Sequence, residues 1–133
     1  MRQTLKKCER LRGKTTIDRL FANGKSFFHY PFIIQYALVP AGVGVPACAV
    51  LFSVGKKKIR HAVKRNLLKR LFREAYRKNK GLVYQAINPG VTALHLAFVY
   101  VKNDICDYAF MEKKVTEALN KLAEELVSQS DSK

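Results

Sequence analysis

The chain has 133 residues, 48% of them hydrophobic, with eight Phe, six Tyr and a formal net charge of +15 at pH 7. That length and apolar content suffice for one packed domain and exclude a chain left disordered for want of a core. Residues 1–80 hold 20 basic and three acidic side chains, a balance of +17, while residues 81–133 hold five basic and seven acidic, a balance of −2; self-repulsion on that scale adds nothing to folding and points to a polyanionic partner, phosphate backbone above all.

Residues 1–14 are basic and aperiodic, and read as an arm. Thr15 to Asp18 spells an [ST]-x-x-[DE] helix start, Ile17, Leu20 and Phe21 follow at helical spacing, and Gly24 suits a C′ position. Residues 27–38, rich in Phe, Tyr and Ile, read as one strand, with Pro31 marking an edge or a bulge. Pro40 to Pro46 reads as a loop, and Cys48 to Val54 as a buried strand that Gly55 ends. A long basic helix follows, ending near Asn79 to Gly81; residues 82–93 are ambiguous apart from the turn at Asn88-Pro89-Gly90. Leu94 to Val101 reads as a central strand. Asp107 is the expected N-cap of a last helix whose apolar stripe is Phe110, Val115, Leu119, Leu122 and Leu126. The pattern alone gives the order α-β-β-α-β-α in a single domain over 1–133, with 1–10 and 128–133 expected to be flexible.

The basic helix carries the strongest signal. Eleven of the 23 side chains from Lys56 to Lys78 are Lys or Arg and one is acidic. At about 100° per residue, Val63, Leu67, Leu68, Leu71, Phe72 and Ala75 fill one half of the wheel, and Arg65, Asn66, Lys69, Arg70, Arg73 and Arg77 the other. Like charges stacked at each turn cost a few tenths of a kcal/mol per pair, which a solvated helix avoids by mixing in Glu. An external anion removes that cost, and the planar Arg fork suits phosphate. Lys56, Lys57 and Lys58 lie before the helix, at its positive end, where only an external anion profits from them. Aromatics crowd residues 21–36; alternation puts Phe28, Tyr30 and Phe32 on one strand face and Phe27 on the other, most of them in the core, and any left open beside cations would stack unpaired bases.

Catalytic arrangements are weak: Glu9, Asp18 and Glu74 are too separated for an acid–base pair, and no phosphate-cradling glycine loop or nucleophile–histidine set is present. Cys8, Cys48 and Cys106 form no Cys-x-x-Cys pair, and His29, His61 and His95 are equally scattered, so reduced cytoplasmic thiols are expected rather than disulfides or zinc. No stretch approaches the roughly 20 apolar residues of a membrane span, and no signal-peptide run follows the basic start.

Phe52-Ser53-Val54-Gly55-Lys56-Lys57, followed by Ala62-Val63-Lys64-Arg65-Asn66-Leu67-Leu68-Lys69-Arg70-Leu71-Phe72-Arg73-Glu74-Ala75-Tyr76, resembles the signature of the bacterial ribonuclease P protein component. In that family a strand ending Ser-Val-Ser-Lys-Lys precedes a helix bearing Arg-Asn-Arg-x-x-Lys-Arg-Leu-x-Arg-Glu. Leu11 and the run Ile17-Asp18-Arg19-Leu20-Phe21-Ala22-Asn23-Gly24-Lys25 extend the likeness upstream, so that it covers about residues 10 to 126. The resemblance implies an α+β fold: a two-layer α/β sandwich of α-β-β-β-α-β-α type order with a left-handed βαβ crossover, ribosomal protein S5 domain 2-like and a rare exception to the usual hand. It also implies a cytoplasmic protein subunit that binds the ribonuclease P catalytic RNA and the 5′ leader of precursor tRNA. The RNA, with divalent metal ions, normally magnesium, hydrolyses the leader; no metal is held by the protein alone and no obligate protein partner is evident.

By the same resemblance Lys64, Arg65, Asn66, Lys69, Arg70 and Arg73 would hold the catalytic RNA, and Ile17, Phe21, Ser53, Lys56 and Lys57 would border the leader cleft. Leu67 stands where the family usually has its second Arg, and Ile17 where it often has Phe. The turn through Lys57-Lys58-Ile59-Arg60-His61 is one residue longer than the common form. The residues by themselves leave two rivals open, a structural ribosomal protein of similar architecture and a basic helix for DNA or an anionic membrane; against the latter, no second short helix stands at helix-turn-helix spacing.

Overall fold

The computed structural model describes residues 14–40, 48–84 and 92–131. In chain order it comprises α1 (Lys14–Asn23), β1 (Lys25–His29), β2 (Phe32–Pro40), β3 (Cys48–Val54), α2 (Ala62–Asn79), the one-turn α3 (Gly81–Tyr84), β4 (Thr92–Tyr100) and α4 (Tyr108–Asp131). The expected arm over residues 1–14 lies outside the described residues except for Lys14, which instead opens α1; the body of the loop from Pro40 to Pro46 and the turn at Asn88-Pro89-Gly90 lie outside them too. The helix of the C-terminal tail continues to Asp131, through most of the stretch expected to be loose.

The single strand expected over 27–38 is a hairpin. Proline has no N–H for a ladder, and Pro31 sits in the turn between β1 and β2 after a cis peptide bond from Tyr30. Its carbonyl accepts the N–H of Val101 at 2.8 Å, which ties the turn to the end of β4. The reversal also changes the faces: Phe32 is buried on the same side as Phe27, and Phe28 and Tyr30 are exposed.

The four strands lie in the order β1-β2-β4-β3. β1–β2 and β2–β4 are antiparallel, and β3 runs parallel to β4, so α2 and α3 form a βαβ crossover between them. One sheet face carries Phe32, Ile34, Tyr36, Val50, Val54, Leu94, Leu96, Phe98 and Tyr100, all buried in one cluster with Leu68, Phe72, Ala75 and Tyr76 of α2 and Met111, Val115, Leu119, Leu122 and Leu126 of α4. Phe72 lies at its centre, its ring stacked on Phe52 at 4.5 Å and against Phe98 at 4.9 Å. A fully buried ring such as Phe72 or Phe98 contributes roughly 1.5–3 kcal/mol through apolar burial, the half-buried Phe52 less. Helix α1 covers only part of the other face, where Leu20 packs with Ala49 and Ala97 beside Ile17, Ala37 and Leu51, and the rest of that face stays open.

Gly24 ends α1 as expected, for a different reason. Its N–H donates to Leu20 O at 2.8 Å. A Cβ there would lie 2.9 Å from Tyr36 O and closer still to Leu20 O, while its φ is not left-handed. Glycine is therefore needed both by the last turn of α1 and by its close approach to β2. Helix α4 begins as its sequence dictates, with Asp107 Oδ1 accepting the N–H of Phe110 at 2.8 Å. Its outer side grips the hairpin: Tyr36 OH donates to Glu125 at 2.6 Å, His29 Nε2 meets Glu117 at 2.9 Å, and Lys121 Nζ stands 4.9 Å over the Phe27 ring.

Candidate nucleic-acid interface

The connection between β3 and α2 is a folded turn. The N–H groups of Lys58 and Ile59 both donate to Gly55 O at 3.1 Å, and the Ile59 side chain is buried. With Ile59 inside, Lys56, Lys57, Lys58 and Arg60 all project into solvent. His61 precedes α2 without a side-chain cap, and no acidic residue occupies the first turn. The positive end of the helix dipole thus faces the same side as a run of cations, an arrangement with an electrostatic gain only toward an anion.

Helix α2 is turned by about 70° from the orientation its apolar pattern suggests, at 100° per residue. Its buried residues are Leu68, Phe72, Ala75 and Tyr76, whereas Val63, expected on the buried half, is 80% exposed. The reason lies in Tyr76, which the wheel left unassigned: it is fully buried, stacks on Phe72 at 5.8 Å, and its hydroxyl lies 3.2 Å from Cys48 Sγ. Leu67 and Leu71 are only half-buried.

This rotation sorts the basic residues. Asn66, Lys69, Arg70 and Arg73 are exposed along one arc. Lys64 is exposed too, but lies about 160° round the wheel from Asn66, on the opposite flank. Arg65 is half-buried, and its Nη1 donates to Ile59 O at 2.8 Å and to Arg60 O at 2.9 Å. It fastens the lysine turn to the helix, a role that its place in a cationic stripe does not reveal. Arg77 pairs with Glu74, its Nε 3.2 Å from Oε2, and Lys78 Nζ lies 3.8 Å from the same carboxylate and 5.4 Å over the Tyr108 ring. The hydrogen bond from Arg77 holds the Glu74 carboxyl below its ordinary 4.5. The expected ridge is therefore partly neutralised at its C-terminal end, where one carboxylate serves two cations, while no ion pair among the described residues engages Lys64, Lys69, Arg70 or Arg73.

The second group lies mostly on the other face of the sheet. Ser53 shares that face with Leu51 and Ala49, because Phe52 and Val54 point to the core. Ile17 packs into the small apolar cluster beneath α1, and Phe21, one turn on, is 40% exposed at its flank. Lys56 and Lys57 follow β3 just past Ser53. Phe28 and Tyr30 are also open to solvent, 58% and 49%, which the sequence could not foretell because the hairpin decides it. Beyond the other flank of α1 is a hollow of about 460 Å³ lined by Arg19, Leu20, Ala37, Leu38, Val39, Pro40 and His95. Burial there pushes the His95 imidazole below its ordinary 6.5.

A family model described as Ribonuclease P matches residues 5–124. The ribonuclease P protein component of Porphyromonas gingivalis is 37% identical over 119 residues, spanning 90% of this chain and 86% of that relative. The component from Chlorobium phaeobacteroides is 38% identical over 105 residues, or 74% and 72% of the two chains. The solved RNase P protein from Thermotoga maritima matches with a TM-score of 0.65 at 24% identity, covering 85% of this chain and 96% of that one. At that identity the last likeness speaks to the fold alone.

Proposed function

The chain belongs to the ribonuclease P protein family, as a protein subunit of ribonuclease P, and from that premise we propose that its α2 ridge holds the enzyme's catalytic RNA while the open sheet face receives the 5′ leader of precursor tRNA. The observation that carries this reading is the arc of Asn66, Lys69, Arg70 and Arg73, exposed and outside every ion pair among the described residues. Three cations in eight residues repel one another, and RNA phosphates reverse the sign of that energy. Lys64 adds to the field from the opposite flank, and Arg65 contributes charge while fixing the turn. Leu67 supplies no phosphate contact, so the load falls on Lys69, Arg70 and Arg73.

For the leader, Lys56 and Lys57 bind phosphates at the edge of the sheet, Ser53 offers a hydroxyl, and Phe21 a ring. Ile17 acts from beneath by packing α1 against the sheet. Hydrolysis is the work of the RNA with divalent ions, magnesium in the ordinary case. Among the described residues no three His, Cys, Asp or Glu side chains gather as a cage for an ion. The protein's contribution is to neutralise phosphates and hold the leader, which lets the RNA order itself at lower magnesium. The reading places the protein in the cytoplasm with tRNA maturation; among the described residues no helix is long and apolar enough to cross a membrane.

The test is cleavage of precursor tRNA by a bacterial ribonuclease P RNA at limiting magnesium, with and without the protein. Added protein restores cleavage of the leader. No restoration at any protein concentration, with the RNA active at high magnesium, overturns the reading.

A further inference from the structure

The sheet register draws one row straight across the open face. Phe28 of β1 pairs with Ile33 of β2, Ile33 with Val99 of β4, and Val99 with Ser53 of β3. Strands set about 4.8 Å apart make this row roughly 14 Å long. At one end Ser53 leads into Gly55 and the lysine turn. At the other, Phe28 stands beside Tyr30, their ring centroids 6.5 Å apart and their planes at 52°. Both rings are open to solvent.

The pair is held in place by backbone rather than by burial of the rings. Phe28 is fixed in the β1–β2 ladder, and Tyr30 precedes the Pro31 turn that Val101 secures. Lys102 follows directly on Val101, whose N–H is bonded to the Pro31 turn, whereas Lys25 of β1 points to the opposite sheet face from Phe28. Exposed aromatic rings held on a rigid strand are what unstacked nucleobases bind.

We propose that Phe28 and Tyr30 form a stacking platform for bases of the single-stranded leader, so that the strand crosses the sheet along the row from Ser53 to Phe28. The inference rests on the proposed leader binding and extends it to two residues outside the family motif. Single-stranded RNA is favoured over a second copy of the chain because the row is continuous with Ser53 and the lysine turn, and because another copy brings the same +15 charge.

The experiment measures the affinity of the protein–catalytic RNA complex for precursor tRNAs with leaders of graded length, from one nucleotide to beyond the span of the row. In the wild type, affinity rises with leader length. Phe28→Ala and Tyr30→Ala each lower the ratio of long-leader to short-leader affinity by roughly fivefold to a hundredfold, the range for loss of one base–aromatic stack. Phe28→Trp keeps the ratio and, because the chain has no other Trp, gives a single indole whose fluorescence falls with a long leader and not with a short one. A wild type indifferent to leader length overturns the leader reading itself. Leader dependence that survives both alanine substitutions overturns only the platform. A shift in the sedimentation of the free protein on Phe28→Ala, with leader dependence intact, assigns the rings to self-association and overturns it too.

Discussion

Arg65→Ala and Arg70→Ala separate two jobs that look alike in the sequence. Arg65 donates to Ile59 O at 2.8 Å, a part-buried bond, and to Arg60 O at 2.9 Å, an exposed one. A hydrogen bond from a charged donor is worth about 1.5–3 kcal/mol when sheltered. Solvent exposure discounts the second bond heavily, so the expected loss is about 1–2 kcal/mol, or roughly 5 °C in melting temperature for a domain of this size. Arg70 is exposed, and no bond or ion pair among the described residues engages it; its removal should change stability by less than about 0.5 kcal/mol. Urea unfolding followed by circular dichroism measures both. A salt titration of catalytic-RNA binding supplies the complement: Arg70→Ala lowers the log–log slope by about 0.7–0.9 for one lost phosphate contact. Arg65→Lys keeps the charge without the fork, and should retain most of the slope while losing stability. Equal stability of Arg65→Ala and Arg70→Ala would refute the assignment of Arg65 to the turn.

Gly24→Ala forces a Cβ against two backbone carbonyls, so its urea midpoint should drop by the equivalent of about 1–3 kcal/mol; a midpoint equal to that of the wild type would mean α1 can lift from β2 at no cost. The hydrogen bond from His29 lowers the Glu117 carboxyl from its ordinary 4.5. A carboxyl lowered on folding adds stability that is complete above its ordinary value and is lost as pH falls through the folded value. Glu117→Gln should therefore flatten the fall of stability below pH 4.5, as should Glu74→Gln at the Arg77 pair; acid titrations of unfolding that superimpose on the wild type would remove both pairs from the account.

Local pattern carried the helices far and the faces less far. The basic helix, its end near Asn79 and the Asp107 cap follow from composition, spacing and capping chemistry, which act over a few residues. The orientation of α2 does not. Val63 counts as core on a wheel yet costs little when exposed, and Arg65 and Tyr76 carry enough apolar stem or ring to turn inward with their polar ends satisfied. The β1–β2 hairpin was hidden because Phe27 to Leu38 is rich in strand formers on both sides of Pro31. Once the chain reverses there, Phe32 goes to the core and Phe28 and Tyr30 to solvent, and no pattern of alternation through one strand yields that. Gly24 suits a helix end by its neighbours alone; of the two carbonyls that forbid a side chain there, Leu20 O belongs to α1 and Tyr36 O to another element. The cations of the interface were legible as a group, but the split between those facing solvent, the one tying down the turn and those held by Glu74 needed the fold.

Gly55 O accepts two N–H bonds while Ile59 is drawn inside, so the loop bearing Lys56 to Lys58 has a backbone restrained by the fold itself. Ordering entropy that a floppy lysine-rich loop would surrender at encounter is charged to folding instead. On the proposed reading the three ammonium groups would meet phosphate on a backbone shaped beforehand by Ile59 and Arg65, neither of which need touch the ligand.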